Sequence, residues 1–261
     1  MNRNTEKVLG YDVDLIAFDR AIELVEQNLN EEQGMHIITI NPEIIEHATK
    51  DAILSNIIKD ANLIVPDGVG IKIALKLKGI RQEQIAGIDL AKELLYSCKK
   101  LNKTVALIGA KEEVIQKAVE VLSKEIDGLN IVYSGNGYFE PEKEEEIIQE
   151  LEKLNVDFVL VALGSPKQDY FINKCKNKLT NSIFIGVGGS FDVWAGYVER
   201  APEFYRKLGL EWFYRTIKQP ERFKRIYKTL PIFLFKAIIE AIKYKWDMCL
   251  KGRKWLKKFQ V

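Results

Sequence analysis

Six short apolar runs, rich in β-branched residues, recur between residues 36 and 188: HIITIN (36–41), NLIVP (62–66), TVALIG (104–109), NIVYSG (130–135), DFVLVALG (157–164) and SIFIGVG (182–188). Between and after them lie segments with helical spacing of apolar residues: EIIEHATKDAILSNIIKD, GIKIALKLKG, IDLAKELLYSCKKL, EEVIQKAVEVLSKEI, PEKEEEIIQELEKL and KQDYFINKCKNKL. A strand that is apolar at nearly every position is covered on both faces, and parallel strands need crossovers that helices of this length supply. The alternation therefore predicts an α/β fold, a Rossmann-like, mostly parallel sheet with helices on both faces. It carries no information about strand order.

Ligands in such sheets bind beyond the carboxyl ends of the strands. Those ends are rich in glycine and polar residues here: TINPE (39–43), VPDGVG (65–70), LIGA (107–110), SGNGYF (134–139), LGSPKQD (163–169) and GVGGSFD (186–192). Any one loop needs glycine simply to turn. Several on one edge point to a ligand cleft.

The last of these turns looks at first like a dinucleotide fingerprint. Gly186 and Gly188 match its first two glycines, but Phe191 stands at the third. The acidic residue about 20 positions on is also missing, as is a Walker lysine. What remains is a glycine-rich turn, Gly186, Gly188 and Gly189, able to bring backbone N–H groups to a diphosphate. Asp192, directly after it, either holds a ligand hydroxyl or caps a helix.

Asp67 closes a buried strand in VPDGVG. A partly desolvated carboxylate facing a cleft suits a general base, and the competing role is capping the next helix. Thr39 and Asn41 offer hydrogen-bonding side chains at a second strand end, with turn and cap chemistry as the alternative. Lys167 and Gln168 stand at a helix start in GSPKQD, after Gly164, and either face a phosphate or a sugar or form an ordinary solvated first turn. His36 and His47 stand at no metal-ligand spacing and read as structural. No acidic pair ends a strand, so no metal is implied, and no cofactor either.

From residue 203 the character changes. Residues 203–261 carry 16 Lys/Arg against 5 Asp/Glu, whereas residues 1–202 carry 23 against 32. This division predicts an acidic α/β core over 1–202 and a basic, helical appendage over 203–261, joined at ERAP. The tail is aromatic as well as basic, with breaks expected at Gly209, Pro220 and Pro231, the two prolines opening successive helices. Basic and aromatic residues suit nucleic acid or an anionic membrane surface, and a basic tail can also simply fold on the acidic core; the apolar run IFLF favours the membrane over nucleic acid. Each cation near such a surface adds on the order of 1 kcal/mol. Apolar tail positions such as Ile232 and Phe233 equally serve a subunit interface in a homo-oligomer. Nothing reads as a signal peptide or as a span of about 18 apolar residues. Three dispersed cysteines fit a reducing compartment.

Taken together, TINPE, VPDGVG, AGIDL, LGSPKQD, GVGGSFDVWAG, ERAP and GLEWFYRTIKQPERFKR resemble, in order, the motifs of the WecG/TagA/CpsF glycosyltransferase family, over roughly residues 8–228. They look most like its TagA branch. The resemblance implies an inverting, metal-independent transferase at the cytoplasmic membrane face. It would move N-acetylmannosamine from UDP-ManNAc to GlcNAc on undecaprenyl diphosphate, early in wall teichoic acid synthesis. Other branches of the family use a ManNAcA or glucose donor. By the same resemblance Asp67 is the base, Thr39, Asn41 and Gln168 hold substrate, and Arg215, Arg222 and Arg225 of the tail close over the diphosphate. This chain departs from the family at Gln84, where an arginine is common; Arg81 is a candidate substitute one turn away. It also has Asp169 where glutamate is usual.

Overall fold

In this computed structural model residues 3–207, 209–218 and 220–258 are described, with backbone only for residues 207, 215, 216, 218, 220–228 and 250–258. All six expected strands form, with ends within two residues of those read from the sequence. They are β3 (Met35–Ile40), β4 (Leu63–Pro66), β5 (Thr104–Gly109), β6 (Asn130–Gly135), β7 (Phe158–Ala162) and β8 (Ile183–Gly186). They make one parallel sheet in the order β4-β3-β8-β7-β5-β6, with Ile40 beside Pro66 and Ile37 beside Ile185.

The helices cover both faces, as near-continuous apolar strands require. One face is packed by α1 (Phe18–Asn30), α5 (Gly87–Lys100), α6 (Glu112–Glu125) and the short α9 (Ser190–Trp194). The other carries α2 (Pro42–Ala48), α3 (Ala52–Lys59) and α4 (Val69–Leu77) over one half, and α7 (Pro141–Lys153) and α8 (Lys167–Cys175) over the other. The chain after β3 thus turns to one face and the chain after its neighbour β8 to the opposite face. A crevice opens between two such loops, the topological switch point at which α/β folds bind ligands.

Two elements were not foreseen. An antiparallel hairpin, β1 (Thr5–Val8) and β2 (Tyr11–Asp14), precedes the sheet, and Leu9 and Gly10 at its tip both take positive φ, as a two-residue turn of this twist demands. Asp14, held by Arg3, accepts from the Ile64 backbone N–H at 2.7 Å and so occupies a donor on the edge strand β4. Helix α1 is the other, its Ala21, Val25 and Leu29 buried at a spacing of four. The single helix expected over 43–60 is two, because the Asp51 side chain accepts from the N–H groups of Ile53 and Leu54 and caps α3.

After residue 202 come α10 (Glu203–Lys207), α11 (Glu211–Lys218) and α12 (Pro220–Lys258). The breaks at Gly209 and Pro220 occur as expected, but Pro231 does not open a new helix: it lies inside α12. A proline there removes one helical hydrogen bond and costs about 3 kcal/mol. Tertiary packing offsets that cost, since Phe233, Ala237 and Ala241 are buried against α2 and α4. Phe233 is therefore used inside the chain and is no surface for a second copy, while Ile232 stays exposed. Lys236 bridges both carboxylate oxygens of Glu46 at 2.8 Å. Buried Lys78 binds Glu6, Glu240 and the Lys7 carbonyl oxygen. The far side of α12 exposes Ile232, Phe235, Ile239, Ile242 and Trp246, an apolar stripe at helical spacing. Among the described residues no helix is long and apolar enough to cross a membrane.

Candidate active site

The cleft at the switch point is built from backbone contacts first. Asp67 N–H donates to the Ile40 carbonyl at 2.8 Å, carrying the β3–β4 ladder one residue past β4. Gly68 follows with φ of 80°, a left-handed conformation that favours glycine, and turns the chain into α4. The loop before α5 is pinned to the same strand end by Ile85 N–H to the Pro66 carbonyl at 2.8 Å. Gly87 then approaches β3 so closely that a Cβ on it would lie 2.8 Å from Cγ2 of Thr39.

These constraints place Asp67. Its Oδ1 accepts from Gln84 Nε2 at 3.3 Å and its Oδ2 from the Gly87 N–H at 3.5 Å. It does not cap α4, whose N-cap is Gly68 without a side-chain bond. So the capping alternative is set aside, and the carboxylate instead faces the cleft between β4 and α5. Gln84, the position of the departure noted above, is a side chain that reaches Asp67. Arg81 is exposed, and residues 80–86 form no helix that would bring it back one turn.

Arg200 of ERAP adds a charge nearby. Its guanidinium grips Asp89, in the first turn of α5, with bonds of 2.6 and 2.5 Å. Those bonds raise its pKa above the ordinary value against partial burial, and the charges of Asp89, Glu211 and Asp67 push the same way.

The cleft encloses about 260 Å³. Thr39, Asn41, Asp67 and Gly189 line it, joined by Gln84, Gly87, Val187 and Ser190. Asn41 also shapes the backbone beside the cleft, where its Oδ1 accepts from Ile44 N–H at 3.0 Å and caps α2. Thr39 Oγ1 reaches the Gly186 carbonyl at 3.5 Å, joining the ends of β3 and β8.

The other sequence-derived residues gather alongside, around the ends of β7 and β8, outside the lining. Gln168 is buried and accepts through Oε1 from the Gly188 N–H at 3.1 Å. It lies flat on Gly186, where a Cβ would come within 2.5 Å of its Nε2. Gln168 is therefore the brace of the glycine turn. Gly164 (φ 74°) and Gly188 (φ 50°) are left-handed, and Lys167 is exposed at the start of α8. Asp192 sits in the first turn of α9 but does not cap it; Gly189 holds the N-cap position. Asp169 is buried beside this turn, and burial raises its pKa to about 6 against a Ser165 hydrogen bond.

Arg215 lies on α11 and Arg222 and Arg225 on α12, but their side chains are outside the described residues. The same two helices contribute wall residues that sequence reasoning missed: Glu211 and Trp212 from α11, and Thr229 and Leu230 from α12. The GLEW run was visible as a motif, yet nothing local said that it folds back onto the strand ends. Among the described residues no three of His, Cys, Asp and Glu lie close enough to hold a metal ion.

The model of the glycosyl transferase WecG/TagA/CpsF family matches residues 6–247. The chain belongs to this family. Relatives include the N-acetylglucosaminyldiphosphoundecaprenol N-acetyl-beta-D-mannosaminyltransferase of Bacillus subtilis (strain 168), 39% identical over 199 residues, or 76% of this chain and 77% of that protein. The protein of the same name from Staphylococcus aureus (strain MW2) is 33% identical over 250 residues, covering 93% of this chain and 96% of the relative. The match thus runs past the strand-end motifs into α12, so family membership includes the tail that closes one wall of the cleft.

Proposed function

We propose that this chain is an inverting glycosyltransferase moving N-acetylmannosamine from UDP-ManNAc to GlcNAc carried on undecaprenyl diphosphate, an early step of wall teichoic acid synthesis. The observation that carries the reading is Asp67, whose two carboxylate oxygens are oriented by Gln84 and Gly87 at the mouth of the cleft. In the transfer, Asp67 takes the proton of the acceptor hydroxyl as that oxygen attacks the anomeric carbon. The new C–O bond forms as the bond to UDP breaks on the opposite side, so configuration inverts and no covalent enzyme intermediate is needed. Thr39 and Asn41 orient the sugars beside Asp67.

The donor diphosphate lies against the turn of Gly186, Gly188 and Gly189, with Gly164 and Lys167 alongside and Asp192 toward the nucleoside. Gln168 acts here through the turn that it braces. By the family resemblance Arg215, Arg222 and Arg225 are the residues to offset the charge of the leaving UDP, a role that arginine suits and that would otherwise fall to a metal ion. Residues 1–202 are the catalytic core. Residues 203–261 are the appendage that brings it to the cytoplasmic face of the membrane as a peripheral protein, its basic residues on anionic headgroups and the α12 stripe in the interface.

The test is product analysis with UDP-ManNAc and a short-chain GlcNAc-diphosphate lipid. A β-linked ManNAc-GlcNAc product supports the reading. No transfer from UDP-ManNAc, with transfer from a ManNAcA or glucose donor, moves the chain to another branch of the family.

A further inference from the structure

The cleft beside Asp67 opens to solvent and holds about 260 Å³. It has room for one hexosamine ring. The hydroxyl to be deprotonated must reach Asp67, so the acceptor ring comes against this cleft, with the donor approaching from the side of Gly189.

The walls match such a ring by chemistry. A pyranose has a C–H face and a rim of hydroxyls and acetamido groups. Trp212 lines the cleft, with Leu230 and Ile88 as further apolar lining. Asn41, Gln84 and Thr229 supply amide and hydroxyl groups, and Glu211 adds a carboxylate that accepts from sugar hydroxyls. Asp67 and Glu211 both line this cleft. Arg200 answers both: its charge is favoured by Glu211 and by Asp67 while Asp89 holds it in place.

We infer that Trp212 and Glu211 of α11 recognise the acceptor hexosamine, Trp212 stacking on its C–H face and Glu211 binding a hydroxyl on its rim. The inference rests on the proposed role of Asp67. It makes the appendage part of the sugar site as well as of the membrane contact, so acceptor recognition requires α11 to be docked.

The experiment uses the full chain with Trp212→Ala, Trp212→Phe and Glu211→Gln variants. Binding of a short-chain GlcNAc-diphosphate lipid, without donor, is measured by calorimetry beside binding of UDP. Trp212→Ala is expected to weaken the acceptor about tenfold and leave UDP affinity within about twofold, with Trp212→Phe retaining most of it. Glu211→Gln is expected to weaken the acceptor in the same selective way. Unchanged acceptor affinity in Trp212→Ala and Glu211→Gln, or equal losses for acceptor and UDP, overturns the inference. A wild-type chain that binds the acceptor but transfers no ManNAc overturns only the proposed donor. One that binds no GlcNAc-diphosphate lipid overturns both.

Discussion

Replacing Gln168 by alanine separates the two roles that its motif suggests, because substrate contact and loop bracing fail in different ways. In the folded chain Gln168 is 5% exposed and its Oε1 takes the Gly188 N–H at 3.1 Å. Truncation leaves that donor without its partner, at about 1–3 kcal/mol for a buried group. It also empties the space over Gly186. The total is about 2–3 kcal/mol, and for a chain of this size each kcal/mol shifts the melting temperature by about 2–4 °C. A drop of roughly 5–10 °C is expected by calorimetry, with weaker UDP binding because the turn no longer holds its shape. Gln168→Glu should fare as badly, since a buried carboxylate cannot accept that bond without the cost of desolvating its charge. A variant that melts with the wild type yet loses UDP binding would refute the reasoning and return Gln168 to direct substrate contact.

Other outcomes follow from the same geometry. Asp67→Asn should lower turnover by about 10²–10⁴ with the melting temperature and UDP affinity little changed; retained turnover removes Asp67 from the chemistry. Phe235→Glu with Ile242→Glu alters only the exposed face of α12 and should weaken binding to anionic vesicles by well over tenfold, since each buried apolar side chain is worth about 1.5–3 kcal/mol. Vesicle sedimentation equal to wild type would exclude the stripe from the contact. His36, buried with its pKa lowered to about 3 by desolvation and then by Lys176, binds fewer protons folded than unfolded between that value and 6.5, so its contribution to stability is lost as pH falls through this window. His36→Leu should flatten that loss in urea unfolding midpoints measured at pH 4.5 and 7, whereas an unchanged pH dependence would mean that His36 is not its source.

The fold was legible where local pattern and burial agree. The six apolar runs could only be strands covered on both faces, and their polar ends marked the edge where the cleft lies. The β1–β2 hairpin escaped because TEKV and YDVD are short and half charged, and their apolar positions find cover only in packing against α3, α4 and β4. Pro231 misled for a related reason: the burial of Phe233, Ala237 and Ala241 that carries α12 through it is a tertiary fact.

At the site, Asp67 was recognisable as a strand-end carboxylate, and its freedom from capping became visible only with Gly68 at the N-cap. The motif named Gln168 as a substrate residue, and its bond to the Gly188 N–H became visible only in the fold. Glu211 and Trp212 were missed altogether. They reach the cleft through a chain reversal between α10 and α12 that leaves no local signature, and they come from a segment whose basic charge drew attention to lipid.

The hairpin tip has a bearing on the opposite end of the molecule. Leu9 N–H donates to Glu240 at 3.0 Å, and Lys78 binds Glu6 from one side and Glu240 from the other. The first ten residues and the long last helix therefore share one buried cation. Trimming or burdening the amino terminus should be felt first as a loosening of α12, and through α12 as a change in how the enzyme meets lipid and sugar. A fusion partner placed before residue 3 is a perturbation of α12, though the two lie at opposite ends of the sequence.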